Sequence, residues 1–386
     1  MTPTILKKIG LATISAATVL GLSLNSAQAA DPIKIGSFLA VTGGASFLGD
    51  PEKKTLEMYV DKINAEGGVL GRKLELTVYD SQGNPKKAVP FAKRLISDDK
   101  VDILLAGSTS GATMAVIPTV EAAGIPYISF GGAGVIVNPV KKWVFKTPHT
   151  DTLAVQKIYN DMKKNGLTKV GLLSGSGGFD KSCRKQAQNL SGSMGMTLVA
   201  DETHGKGDTD MTPQITKIKG SGAQTFMYCG FGAATSIVAK NFKQLGLSIP
   251  HYQTHGSASM NFIKNAEGGA EGVRLPAAAL IVVDALPDSH PQKKVAAAYR
   301  DMYTAKSGDS VSTFGGHAYD GLMIAVEAIK RAGTTDKEAV RAEIEKTTNS
   351  IGADGIYNMS ATDHLGLDEA SFVMVEVSNG GWKMLK

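Results

Sequence analysis

The chain has 386 residues, 44 of them glycine, with 42% apolar and 6% aromatic residues and a formal net charge of +5 at neutral pH. A leader read over the first 29 residues leaves 357, enough for two domains with separate cores; it removes Lys7 and Lys8 and takes the charge to +3. So mild an excess, spread along the chain, argues against nucleic acid or a membrane surface as partner.

The leader comes first in chain order. Lys7 and Lys8 form a short positive region, 9–24 is an apolar run of 16 residues, and Ala27-Gln28-Ala29 supplies the small-x-small pattern of a signal peptidase site. The run is short for a membrane span. The expectation is an exported, periplasmic chain cut after Ala29, with a membrane anchor as the rival reading. No Cys stands at the cut, which argues against a lipid anchor.

The spacing then predicts alternating strands and helices. A strand over 33–38 leads into the turn 40–44, and a helix follows over 51–65 with Leu56, Tyr59, Val60 and Ile63 at helical spacing. Gly67-Gly68 stops it. A strand over 74–79 and a helix over 85–98 come next, the helix with Val89, Ala92, Leu95 and Ile96 as its stripe. Residues 101–134 read as strand, turn, helix, strand, turn, with strands at 101–106 and 125–130 and the helix starting near Ala112. A second series starts near Lys169, with strands at 170–173, 197–201, 225–229 and 251–254 and helices at 180–193, 211–220 and 233–245. Residues 273–283 lead through Pro287 and Pro291 to a helix over 292–305. Helices over 314–331 and 336–347 follow, and strands over 371–377 and 382–385 joined by Asn379-Gly380-Gly381 close the chain as a hairpin. The pattern is α/β: two Rossmann-like lobes, each a parallel sheet flanked by helices.

Reactive constellations are mostly missing. The nucleophile-elbow pattern fails at 107–111, where its centre is Thr109. Gly230-Phe231-Gly232-Ala233-Ala234-Thr235 resembles a dinucleotide fingerprint, but Thr235 stands at the third glycine. His251 and His255 have metal-like spacing, yet in a strand they lie roughly 13 Å apart, too far for one zinc. The acid-rich 201–210 stretch reads as a solvated loop. No metal or cofactor is implied. Cys183 and Cys229 are either a disulfide, natural in an oxidising compartment, or two buried thiols; sequence leaves both open.

Loops at the carboxyl ends of parallel strands are where α/β folds bind ligands. The turn 107–111 offers hydroxyls, including Thr109 and Ser110, and backbone N–H groups at a helix N-terminus, which suit a carboxylate. Neither this turn nor the one after 125–130 carries a strong base or thiol. They look built to hold a molecule rather than to react with it.

Several segments carry a family resemblance: Ile33-Lys34-Ile35-Gly36, Asn64-Ala65-Glu66-Gly67-Gly68-Val69-Leu70-Gly71-Arg72, Tyr79-Asp80, Gly124-Ile125-Pro126-Tyr127-Ile128-Ser129, Gly178-Phe179 and Ala318-Tyr319-Asp320. With these the mature chain resembles the periplasmic solute-binding proteins of ABC importers, of the branched-chain amino-acid type. The resemblance implies the type 1 periplasmic binding fold: two lobes joined by three crossings, expected near 147–150, 275–280 and 355–363, with ligand in the cleft. The implied division is 30–148 plus 279–358 for one lobe and 149–278 plus 359–386 for the other. It further implies a small-molecule carboxylate ligand, ABC permease subunits as partners, a monomer, and no catalysis. Ser110 falls where a serine holds the ligand carboxylate, and Gly131 falls at a backbone contact. Ala133 stands where amino-acid binders often have threonine, Phe179 where tyrosine is common, and Phe231 at an aromatic position. Leu48, Phe314 and His317, with Phe47, are further lining candidates. His255 stands where leucine-type binders place the glutamate that pairs with the ligand's ammonium. A histidine supplies no such anion, so the expected ligand is an aromatic or hydrophobic acid without an α-amino group. The alternative is a branched-chain or other hydrophobic amino acid, with Asp180 or Asp320 as ammonium partner. A ligand sensor and an exported hydrolase are the more distant readings.

Overall fold

The computed structural model describes residues 1–4 and 31–385, so the leader and its cleavage site lie outside the described residues. The first sheet is built from β1 (Ile33–Leu39), β2 (Leu74–Asp80), β3 (Ile103–Ala106), β4 (Tyr127–Ser129) and β5 (Val144–Lys146), in the order β2-β1-β3-β4-β5. All its pairings are parallel. Strands covered on both faces read as continuous apolar runs, and Ile103-Leu104-Leu105-Ala106 is buried throughout. The crossover helices are α1 (Ser46–Ala65), α2 (Pro85–Ser97) and α3 (Ser110–Ala123).

From β5 the chain passes to α4 (Asp151–Lys164) and the second sheet. Here β6 (Lys169–Ser174), α5 (Gly178–Ser191), β7 (Thr197–Thr203), α6 (Thr212–Lys219), β8 (Thr225–Cys229), α7 (Ala233–Gln244), β9 (His251–Gln253), α8 (Met260–Asn265) and β10 (Arg274–Ala278) follow in turn. The chain then returns to the first sheet with α9 (Lys293–Ser307), α10 (Thr313–Ala332), α11 (Lys337–Glu345) and the small β11 (Ser350–Ile351) and β12 (Ile356–Tyr357). It crosses once more to β13 (Phe372–Ser378) and β14 (Gly381–Met384). The second sheet runs β14-β13-β10-β9-β8-β6-β7, parallel from β7 to β10, with the C-terminal hairpin added antiparallel on β10. Asn379 and Gly380 have φ of +53° and +71°, as a tight two-residue hairpin turn requires.

The two-lobe α/β architecture matches the sequence reading, and the differences have local causes. The first helix starts five residues before Pro51, at Ser46. Proline was read as the opening residue, but early in a helix it loses a single bond to the preceding turn and can be carried inside. Residues 279–285 continue from β10 as a 3-10 segment, a stretch to which the sequence reading assigned no element. Helix α4, capped by the Thr150 hydroxyl on Leu153 N–H, and strand β5 lie beside the first crossing and were not expected. One core unites the first sheet with α9, α10 and α11, and it takes in Met359, Leu365 and Leu367. Among the described residues no helix is long and apolar enough to cross a membrane.

Candidate functional site

The first wall is the turn from β3 into α3. Gly107 has φ of +81°, and a Cβ there would sit 2.2 Å from the Tyr127 hydroxyl, so this turn needs glycine twice over. Ser108 Oγ accepts from Ala40 N–H at 2.9 Å and donates to Glu52. Glu52 is fully buried, and burial pushes it well above the usual carboxylate range despite the Ser108 hydroxyl; it is an uncharged acid under the turn. Thr109 caps α3, accepting from Ala112 N–H at 3.3 Å. Ser110 opens the helix, and its Oγ accepts from Ala133 N–H at 3.0 Å, so its own proton is free for a ligand.

The neighbouring loop after β4 is extended and alternates. Phe130 and Gly132 face the cavity, whereas Gly131 between them faces Ile136 and Thr113. By Cβ direction Gly131 points away from the cavity and Gly132 lines it, and Gly131 N–H donates to Ser129 Oγ at 3.0 Å. Ala133 contributes the N–H that fixes Ser110.

The second wall comes from the other sheet. Phe179 lies in the first turn of α5, Phe231 follows β8, and His255 and Gly256 follow β9. Phe179 meets Phe231 edge-on with ring centres 6.2 Å apart, and His255 likewise at 5.4 Å. Cys183 and Cys229 are bridged, S–S 2.00 Å and Cα–Cα 5.7 Å, which resolves the open choice. The bridge joins α5 one turn beyond Phe179 to the end of β8 two residues before Phe231. The walls touch: a Cβ on Gly178 would lie 3.1 Å from Gly111 N, and one on Gly132 would lie 3.1 Å from the Phe179 ring. The N-termini of α3 and α5, each 14 residues long, therefore meet beside Ser110.

Between the walls lies a cavity whose free space, counted together with the solvent at its open mouth, is about 390 Å³. Of the residues singled out in the sequence, the structure brings Leu48, Thr109, Ser110, Phe179, Phe231, Phe314, His255 and His317 together on its wall, and Ser108, Phe130, Gly132, Pro148 and Gly256 line it beside them. Phe47 stands just outside, in ring contact with Phe231 and Phe314. No carboxylate is on the wall among the described residues. Asp180 caps α5 by accepting from Gly177 N–H. Asp320 accepts from Ala353 N–H, Asp354 N–H and the Tyr357 hydroxyl. Neither faces the cavity.

The titratable groups on the wall are the two histidines. Burial, then His149, Lys146 and His317, hold His255 well below its ordinary range. His317 Nδ1 lies 2.6 Å from Asp354 Oδ2; burial pushes His317 down to about 3 and Asp354 well above the usual carboxylate range, favouring the neutral form of each. Among the described residues no serine hydroxyl of the wall bonds a histidine ring: Ser110 Oγ accepts from Ala133 N–H, and Ser108 Oγ accepts from Ala40 N–H and donates to Glu52. Among the described residues no three of His, Cys, Asp and Glu converge as a metal site would require.

Residues 32–381 match the model of a family described as periplasmic binding protein. The chain belongs to that family. This periplasmic binding protein is 24% identical over 363 residues to a leucine-, isoleucine-, valine-, threonine- and alanine-binding protein of Pseudomonas aeruginosa, covering 93% of this chain and 92% of the relative. Among solved structures it superposes on an extracellular ligand-binding receptor from Rhodopseudomonas palustris, with a TM-score of 0.86, 27% identity and coverage of 92% and 99%. A branched-chain amino acid transporter substrate binding protein from Streptococcus pneumoniae, in complex with isoleucine, shares the fold at a TM-score of 0.80, with 24% identity and coverage of 92% and 99%. Family membership implies a periplasmic location, a small-molecule ligand and a membrane permease of the ABC importer type as partner.

Proposed function

We propose that this periplasmic binding protein captures a small hydrophobic solute bearing a carboxylate and presents it, as a monomer, to an ABC permease. The observation that carries the reading is the convergence at Ser110: a free hydroxyl proton and two helix N-termini meet at one end of a cavity whose apolar lining is Leu48, Phe130, Pro148, Phe179, Phe231 and Phe314. Helix N-termini favour an anion there, and the apolar wall favours a hydrophobic body. Hinge closure of the lobes around the solute would produce the form the permease reads. The lobes in this proposal are 30–148 with 279–358 and 149–278 with 359–386; the packing of Met359, Leu365 and Leu367 in the first core argues for moving the third crossing to about residue 368.

The relatives' names favour a branched-chain or other hydrophobic amino acid as the solute, over the amine-free acid expected from the sequence. One observation favours the amine-free acid: an ammonium in this cavity would meet no carboxylate on the wall, and an unpaired buried ammonium costs several kcal/mol. Thermal unfolding of mature protein, stripped of carried ligand by unfolding and refolding, separates the two. A ligand at 100 times its dissociation constant adds about 2.7 kcal/mol. Leucine, isoleucine or valine raising the midpoint supports the amino acid; a rise with amine-free hydrophobic acids alone supports the other. No rise with any carboxylate would sink the proposal.

A further inference from the structure

The inner end of the cleft, where the chain passes between the lobes, gathers basic side chains from four segments. Lys146 ends β5, His149 lies on the first crossing, His255 follows β9, and His317 is in α10. All four are more than nine-tenths buried. His255 and His317 are on the cavity wall, and His255 Nδ1 is buried without a hydrogen-bond partner of good geometry. Behind them, Lys146 Nζ reaches only a backbone carbonyl, that of His149, at 3.4 Å. The His149 ring stacks on Phe372, faces the Ser371 carbonyl through Nε2 at 3.2 Å, and lies 6.3 Å from the ring of His317.

The acidic groups around this cluster stand behind the wall, and Asp354 Oδ1 and Oδ2 and Asp151 Oδ2 are buried without a hydrogen-bond partner. Asp354 faces His317. Asp151 Oδ1 accepts from Gly134 N–H and Thr152 N–H. Asp320 is held by two backbone N–H groups and Tyr357. None of the three is on the wall. Taking four basic groups out of water is costly, and burial holds Lys146 down to about 7. A hydrogen-bond acceptor arriving from the cavity would meet imidazole N–H donors, and an anion would also stabilise a proton on the cluster. An ammonium would meet no carboxylate on the wall among the described residues.

We propose that this end of the cleft is a second acid-binding subsite, in which His255 and His317, backed by Lys146 and His149, take a second carboxylate of the solute. The solute class is then a dicarboxylic acid with an apolar middle, one acid at Ser110 and the other at the histidines. The inference rests on the amine-free reading of the site.

Calorimetric titration of the refolded mature protein tests it with three probes: benzene-1,4-dicarboxylate, the shape-matched 4-methylbenzoate, and leucine. The diacid binds at least about tenfold tighter than the monoacid, the scale of one hydrogen bond to a charged group. His255→Leu removes that advantage. Lys146→Met, which alters no wall atom, reduces the diacid advantage alone and keeps the test open if His255→Leu fails to fold. Equal affinity for diacid and monoacid overturns the inference. Leucine binding tightest also overturns it and leaves the amino-acid reading in place. No binding of any probe overturns it together with the carboxylate reading.

Discussion

The two ends of the cleft are built on different principles. At the Ser110 end, five consecutive residues supply a glycine for the bend, two hydroxyls that order the turn, a helix cap and one free donor proton. Almost every polar atom is satisfied before a ligand arrives. At the histidine end the donors come from three stretches of chain, at 146–149, 255 and 317, and polar atoms remain unpaired. One end is preorganised by local chain geometry. The other is a long-range assembly that holds strain in the form of desolvated bases. This contrast predicts that the serine end is sensitive to backbone changes and the histidine end to pH.

The largest effect is expected at Gly107. Gly107→Ala places a Cβ against the Tyr127 hydroxyl at a positive φ, and left-handed strain plus overpacking should cost about 3 kcal/mol or more. Denaturant unfolding measures it, and a loss below about 1 kcal/mol would break the idea that this turn is rigidly specified. Lys146→Met probes the other end. Folded Lys146 titrates near 7 against an ordinary value of 10.5, so over that interval the unfolded chain binds a proton that the folded chain has released. Native stability therefore rises with pH from about 7 toward 10.5 and is lost as pH falls to 7. The variant should remove about 1.4 kcal/mol per pH unit of that slope; parallel profiles for variant and parent between pH 7.5 and 9.5 would mean that Lys146 keeps its proton in the fold.

Ser110→Ala removes the free donor. Affinity for whichever carboxylate probe binds should fall roughly tenfold or more, read by calorimetry. Unchanged affinity would move the carboxylate away from this turn. The smallest effect is at Glu52→Gln. Because burial already keeps Glu52 protonated, the isosteric amide should change stability by about 0.5 kcal/mol or less. A loss of several kcal/mol would show a charged Glu52 and a different electrostatic field beneath Ser108.

What the sequence showed of this molecule follows the same division. Strand and helix alternation, the 107–111 turn and Ser110 are local signals, and they were legible. The place of Gly132 on the cavity wall was not, because a one-residue step in an extended loop exchanges wall and support. Ser108 escaped because its role depends on Glu52, which is 56 positions away. Helix α4 carries its own cap and an apolar stripe of Ala154, Val155, Ile158, Tyr159 and Met162, so its signal was present but lay next to the expected crossing. The pairing of Lys146 and His149 with His255 and His317 has no local mark. It exists only once the crossings are folded.

The position of the Cys183–Cys229 bridge has a consequence for where binding can begin. It ties the α5 turn carrying Phe179 to the β8 loop carrying Phe231, so the aromatic wall of the second lobe moves as one plate. In a reducing compartment the same wall is two separate loops. Full affinity should then arise only after oxidation, measurable as a gap in dissociation constant between the bridged protein and the Cys183→Ala, Cys229→Ala double variant. A chain still on the cytoplasmic side would leave the cell's own pool of solute untouched.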